Sequence, residues 1–269
     1  MNRALLFVVA LTACSSRETP AHDQAPTPVV VAIDAAVAPV VNPDAKLLAS
    51  NKQLVTAIVD DWDATKATMQ RWSRVDGKWT SDGTTWPAVI GANGSGWGSG
   101  LHGVGAPAGR TGPIKKEGDK KNPAGAFTLR SAFGYAATPP PSTKQPYQQM
   151  TDAWKCVDDP SSQRYNQLLD ETTVTKDWSS AEEMHRNDVL YTWGVEVAHN
   201  AQNTPGNGSC IFLHVWKSPE GKTVGCTAMA EENLVSVLTS LDPAMQPAFV
   251  LLPRAEYVAL EDAWGLPPL

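Results

Sequence analysis

Two side chains in the last quarter of the chain have the chemistry of a nucleophile and its base, Cys226 and His214. They lie in GSCIFLHV (208–215) and TVGCTAM (223–229), joined by WKSPEGK. A cysteine nucleophile needs a base to take its proton and donors to hold the oxyanion. The apolar run Ile211-Phe212-Leu213 reads as a buried strand that ends at His214. Alternation along it puts Cys210, Phe212 and His214 on one face and Ile211, Leu213 and Val215 on the other. Pro219 and Gly221 then turn the chain. Cys226 follows Gly225, which has no Cβ, so a substrate carbonyl can come close and backbone N–H groups can face it. The competing reading is structural: a cysteine after glycine also serves as a small buried hydrophobe.

The elements around this pair follow from periodicity. Leu234, Val237, Leu238 and Leu241 give one apolar face and predict a helix over Ala230–Leu241, with Glu231 and Glu232 in its first turn. Its positive N-terminus is expected near Cys226, where it would favour a thiolate. Strands are expected near Gln53–Val59, Thr68–Val75, Ala88–Ile90, Ala126–Leu129, Tyr191–Ala198 and Phe249–Pro253. A further short strand begins at Lys78-Trp79, after the hairpin signal Asp76-Gly77. Residues 91–105 read as a long glycine-rich loop without the pattern of a phosphate loop. Ser180 with Glu183 has the form of a capping box and predicts a short helix over Ala181–Arg186. A second helix is expected over Arg254–Trp264, ended by Pro267 and Pro268. With Gly and Pro throughout and little helical periodicity, residues 46–269 suit one mainly β domain.

His214, a loop, and then Thr223-Val224-Gly225-Cys226 resembles the active-site signature of the YkuD-type L,D-transpeptidases, which remodel bacterial peptidoglycan. WPAVIGANGSGWGSGLH (86–102), KKEGDKKNPAGAFTL (115–129), CVDDPSSQRYN (156–166) and WGVEVAHN (193–200) resemble further blocks of that family, in the same order. Val224 stands where the commoner signature has a second His, and Val215 stands where Ser or Gly often follows the base. The resemblance implies a YkuD-like β-sandwich of mixed sheets with a few short helices. It implies that Cys226 attacks a peptidoglycan stem peptide and forms a thioester, that His214 moves the proton, and that backbone groups around Gly225 hold the oxyanion. An amine then gives a cross-link or an exchange product, with no cofactor. Thr223, Thr227, Tyr165, Lys116 and His199 are the candidate substrate contacts. For His199 a structural hydrogen bond competes, and for Lys116 a solvated charged loop does. Two alternatives stay open: an L,D-carboxypeptidase or amidase-type hydrolase on the same scaffold, and a non-catalytic wall-binding lipoprotein.

The N-terminus fits an envelope protein. Arg3 followed by the apolar run Ala4–Ala13 is too short to span a bilayer and reads as a signal peptide over 1–13. Leu11-Thr12-Ala13-Cys14 resembles a bacterial lipobox, which would make Cys14 the lipidated first residue and the membrane a partner. Ser15 rather than Asp follows, so in a Gram-negative host the periplasmic face of the outer membrane is expected. Residues 14–45 are a Pro- and Ala-rich tether, and 46–269 form the catalytic domain.

Cys156 and Cys210 are a possible disulfide pair in a compartment that permits one. Asp158-Asp159 before Pro160 suits an Asx-type turn better than a metal site. No CxxC or His-x-x-x-His spacing supports zinc, and no metal is expected. The net charge of −6 argues against nucleic acid.

Overall fold

The computed structural model describes residues 46–269. The expected signal peptide, the expected lipidation site Cys14 and the expected tether lie outside the described residues. The fold is mainly β, with mixed sheets and, among the described residues, two α-helices.

Strands β1 (Gln53–Val59), β2 (Lys66–Val75) and β3 (Lys78–Val89) form an antiparallel meander. Asp76 and Gly77 both take positive φ, 48° and 78°, at the β2–β3 turn, as the Asp-Gly pair requires. The short strands expected at Lys78-Trp79 and at Ala88–Ile90 are the two ends of one strand. The ladder absorbs an irregularity between Met69 and Arg71 instead of breaking. Residues 91–105, expected as a loop, carry β4 (Ser95–Trp97), β5 (Ser99–Gly100) and β6 (Gly103–Val104). Trp97 there is fully buried, so this segment is packed interior rather than a surface excursion.

β7 (Asn122–Gly134) is far longer than Ala126–Leu129 and is the hub of the sheet. It pairs with β4, with β8 (Tyr147–Gln149), with β12 (Trp193–Val197) and with β15 (Ala248–Pro253). β13 (Phe212–Val215) and β14 (Thr227–Met229) continue the ladder from β12 to β3. The β7–β12 pairing closes the ring, so the principal sheet wraps around its own core. Leu54, Phe127, Phe249 and Leu251 fill that core. Helix α1 (Glu231–Ser240) buries Leu234, Val237 and Leu238 against it, and α2 (Arg254–Trp264) buries Tyr257, Leu260 and Trp264.

A second, smaller sheet joins β9 (Trp154–Val157) to β10 (Leu168–Asp170) and β11 (Ala181–Glu183). β11 occupies the segment where Ser180 and Glu183 predict a helix. Its backbone groups pair with β9 instead, with Ala181 opposite Val157 and Glu183 opposite Lys155. The Glu183 side chain meets the Lys155 ammonium at 2.6 Å and not the Ser180 backbone. Tertiary strand pairing thus overrides a local cap signal.

A disulfide joins Cys156, on β9, to Cys210, with their Cα atoms 5.9 Å apart. It ties the small sheet to the principal one. Cys210 is not part of the strand that ends at His214: its φ is 56°, and β13 begins only at Phe212. The bridge closes a loop with a sequence separation of 54 residues. Replacing both cysteines by serine should therefore lower the unfolding free energy by about 4 kcal/mol. Urea unfolding of the double variant checks this, and a loss below about 1 kcal/mol would refute the stated contribution of the bridge.

Candidate active site

The pair proposed from sequence is built on two parallel strands. β13 and β14 run in register with Leu213 opposite Thr227 and His214 opposite Ala228. Cys226 immediately precedes β14 and so falls beside Phe212, whose N–H points at its sulfur at 3.3 Å. Alternation places Phe212 and His214 on one face of β13, and Cys226 and Ala228 on the matching face of the neighbouring chain. His214, Cys226 and Ala228 accordingly line one cavity of about 240 Å³. The connection through residues 216–226 is close to the shortest that a parallel pair permits.

His214 is oriented by the backbone. Its Nδ1 lies 2.7 Å from the Val215 carbonyl. A carbonyl can only accept, so Nδ1 carries the hydrogen and Nε2 keeps the lone pair a base needs. The edge of Tyr191 meets the imidazole, with ring centroids 5.3 Å apart. Burial lowers the His214 pKa to about 4, against an ordinary value of 6.5.

Cys226 is buried in a second apolar cluster with Phe133, Met150, Met184, Tyr191 and Phe212. Its thiol donates to the Cys210 carbonyl at 3.4 Å. Burial first, and then the nearby Glu182 carboxylate, push its pKa up. This corrects the expected helix effect: β14 and Ala230 separate Cys226 from the first residue of α1, Glu231, so the helix terminus is not beside the thiol. At neutral pH the resting pair is therefore a neutral thiol and a neutral imidazole.

The turn before Cys226 is organised by Thr223. Its hydroxyl donates to the Cys226 carbonyl at 2.6 Å and accepts the Gly225 N–H at 3.2 Å. The Gly225 N–H is therefore already engaged. The Cys226 N–H has no hydrogen-bond partner among the described residues and can face an oxyanion. Gly225 has φ +152°, and a Cβ there would meet the Lys121 carbonyl at 3.2 Å, so the turn demands glycine.

A second cavity of about 240 Å³ adjoins the first, and Cys226, Glu182 and Val224 line both. The first lobe carries Arg186, Lys217 and Lys222. The second carries Lys115, Lys120, Glu117 and Asp158. Val224 is 70% exposed over this junction.

The other candidate contacts divide. Thr223 lines the first lobe and Gly225 the second. Thr227 is buried in β14, where its hydroxyl accepts from the Asn122 amide at 2.9 Å, and it lines neither lobe. Lys116 is exposed and lines neither lobe. Its neighbour Lys115 is the buried one, held by Asp119 at 2.6 Å, and reaches the second lobe. Tyr165 stands behind that wall, donating to Glu117 at 2.5 Å and accepting the Gly208 N–H at 3.1 Å. His199 accepts the Ser99 N–H on Nδ1 at 3.2 Å and donates from Nε2 to the Asn207 carbonyl at 2.9 Å, away from both lobes. Burial holds its pKa at about 4 as well.

Sequence reasoning passed over Glu182, Tyr191 and Arg186. Glu182 accepts the Tyr191 hydroxyl at 2.5 Å. Its signal was hidden by the capping pattern around it; period-2 alternation from Ala181 to Glu183 is what would have separated an inward Glu182 from an outward Glu183.

No family model matches the chain, and no curated protein matches it. Among solved structures, the helical cell shape determining protein Pgp2 from Campylobacter jejuni is similar, at 14% identity and a TM-score of 0.34, over 74% of this chain and 48% of that one. The chain thus spans about half the length of that protein's chain.

The two buried histidines make a stability prediction. Each has a folded pKa of about 4 against 6.5 when free. Between those values the unfolded chain binds protons that the native chain does not. Stability is therefore fully present above about pH 6.5 and falls as the pH drops towards 4, by up to about 3 kcal/mol per histidine. His199→Gln should flatten that decline in urea unfolding at pH 7, 5.5 and 4. An unchanged slope would sink the assignment to His199.

Proposed function

We propose that this chain is a cysteine acyltransferase acting on peptide substrates, specifically an L,D-transpeptidase that uses peptidoglycan stem peptides. The observation that carries the reading is the placement of His214 and Cys226 on one face of adjacent parallel strands, in one cleft, with the His214 tautomer set by the Val215 carbonyl. The resemblance of Thr223–Cys226 and the four further sequence blocks to YkuD-type enzymes supports it.

The chemistry follows from the resting state. His214 Nε2 accepts the thiol proton as the sulfur attacks the peptide carbonyl, because a neutral pair moves its proton at low cost only when the attack gives the charge a place to go. The Cys226 N–H holds the developing oxyanion. The protonated imidazole returns the proton to the leaving amine, and a thioester remains. An incoming amine completes transfer. The Lys217 and Lys222 side of the first lobe suits a peptide tail that ends in a carboxylate. Anchoring of the domain to a membrane through lipid on Cys14, in the bacterial envelope, belongs to the same reading.

A hydrolase is the second reading. It is favoured by exposed Val224 at the junction of both lobes, where water can reach the acyl group. A wall-binding protein without turnover is the third, and the buried thiol is the feature in its favour.

Intact-mass spectrometry of the full chain after incubation with a carbapenem tests the nucleophile. The strained lactam should add once, on Cys226, and the adduct should be absent from Cys226→Ala. His214→Ala should slow its formation by about 100-fold. No adduct on a folded protein with a free Cys226 thiol would turn the reading towards a binding module. Release of shortened peptide, with no amide formed from an added amine, would turn it towards the hydrolase.

A further inference from the structure

Glu182 sits where the two lobes meet, on the wall they share with Cys226. Its two carboxylate oxygens are not equivalent. Oε1 accepts the Tyr191 hydroxyl at 2.5 Å and lies 3.8 Å from the Arg186 guanidinium. Arg186 itself is committed to Asp188, at 2.9 Å. Oε2 has no hydrogen-bond partner among the described residues and is not sealed from the cleft. One oxygen is thus fixed and the other is open to whatever enters.

The position of the carboxyl group relative to the sulfur is set by a short route. Glu182 is the cross-strand partner of Cys156. Cys156 is bonded to Cys210, and the Cys210 carbonyl accepts the Cys226 thiol hydrogen. An anion held beside a nucleophilic sulfur opposes formation of the thiolate, so it does not serve the attacking step. A cation entering the cleft removes that opposition and finds an acceptor already oriented.

We propose that Glu182 is a catalytic residue for the second half of the reaction, binding the ammonium group of the incoming amine through Oε2 and taking one proton from it. This rests on the acyl-transfer reading above. The ammonium gives a proton to the Glu182 carboxylate and becomes a free amine. Its nitrogen lone pair forms the bond to the thioester carbon. His214 takes the second proton from nitrogen as the carbon–sulfur bond breaks, and the sulfur leaves with the electron pair. His214 then returns that proton to the sulfur, and Glu182 releases its own to solvent. Enclosure raises the Glu182 pKa, and the Tyr191 hydroxyl on Oε1 opposes that rise. The acceptor class is a primary alkylammonium, and neutral acceptors are disfavoured.

The test is a competition between two acceptors of the same shape. Propylamine is an ammonium at pH 7, and ethoxyamine is neutral and needs no proton removed. The full chain is incubated with a tetrapeptide stem donor and both amines, and the propylamide-to-ethoxyamide ratio is read by mass spectrometry. Both compete for one acyl-enzyme, so partial unfolding of a variant changes the yields and not the ratio. The wild type should favour propylamide. Glu182→Gln should lower the ratio by about 100-fold, and Glu182→Asp, which keeps the charge, by less. A wild type that prefers ethoxyamine, or a ratio in Glu182→Gln within about threefold of wild type, overturns the role of Glu182. Absence of every acyl product from the wild type, hydrolysed donor included, would overturn the acyl-transfer reading itself.

Discussion

The parallel ladder between Phe212–Val215 and Thr227–Met229 is the constraint on which the rest of the site depends. Side chains alternate with a period of two, so a slip of one residue in that register would send either His214 or Cys226 to the opposite face. The register is held from both flanks. β12 pairs with β13 on one side and β3 pairs with β14 on the other, inside a ring closed by β7. The Thr223 hydroxyl then fixes the last turn, so the cysteine arrives at one height and one angle. A candidate nucleophile and base on two adjacent, hydrogen-bonded strands have little freedom to drift relative to each other.

Burial decides how that pair behaves. The same apolar cluster that packs Phe133, Tyr191 and Phe212 around the sulfur removes the water that would stabilise a thiolate. The imidazole loses its hydration too and stays neutral. A pre-formed thiolate–imidazolium pair would need that desolvation to be offset by nearby charges or dipoles, and the helix terminus that could have helped is displaced by a whole strand. Low polarity has a second consequence. Beside the buried sulfur, the Glu182 carboxylate opposes the thiolate more strongly than it would in water.

The covalent link between the sheets gives the site its roof. Cys156 and Cys210 bring β9 and β11 against the principal sheet, and with them Glu182 and the Tyr191 contact that faces His214. The interior beneath is the second apolar cluster, which includes Phe212 and Cys226. The small sheet, three short strands, is thus held by the disulfide, by the Lys155–Glu183 ion pair and by aromatic edges around Tyr191 rather than by a core of its own.

Some of this was determined by the amino-acid sequence alone. The strand Gln53–Val59 and the helix Arg254–Trp264 appear at their expected bounds, because their apolar patterns are long and their ends carry clear stops. The Asp76-Gly77 turn is likewise set by local backbone preference. Cys226, His214 and Gly225 could be named from residue type and spacing, and Thr223 from the resemblance of Thr223–Cys226 to a known signature. What only the tertiary structure decided is non-local. The three residues of β14 are too few to register as a periodic pattern, yet they move the helix away from the thiol. Ala181–Glu183 has a local preference for a capped helix, but hydrogen bonds to β9, remote in the chain, make it a strand and turn Glu182 towards the sulfur. Lys115 rather than Lys116 reaches the cleft because burial depends on which way the chain faces, and neither charge nor position in a basic run encodes that.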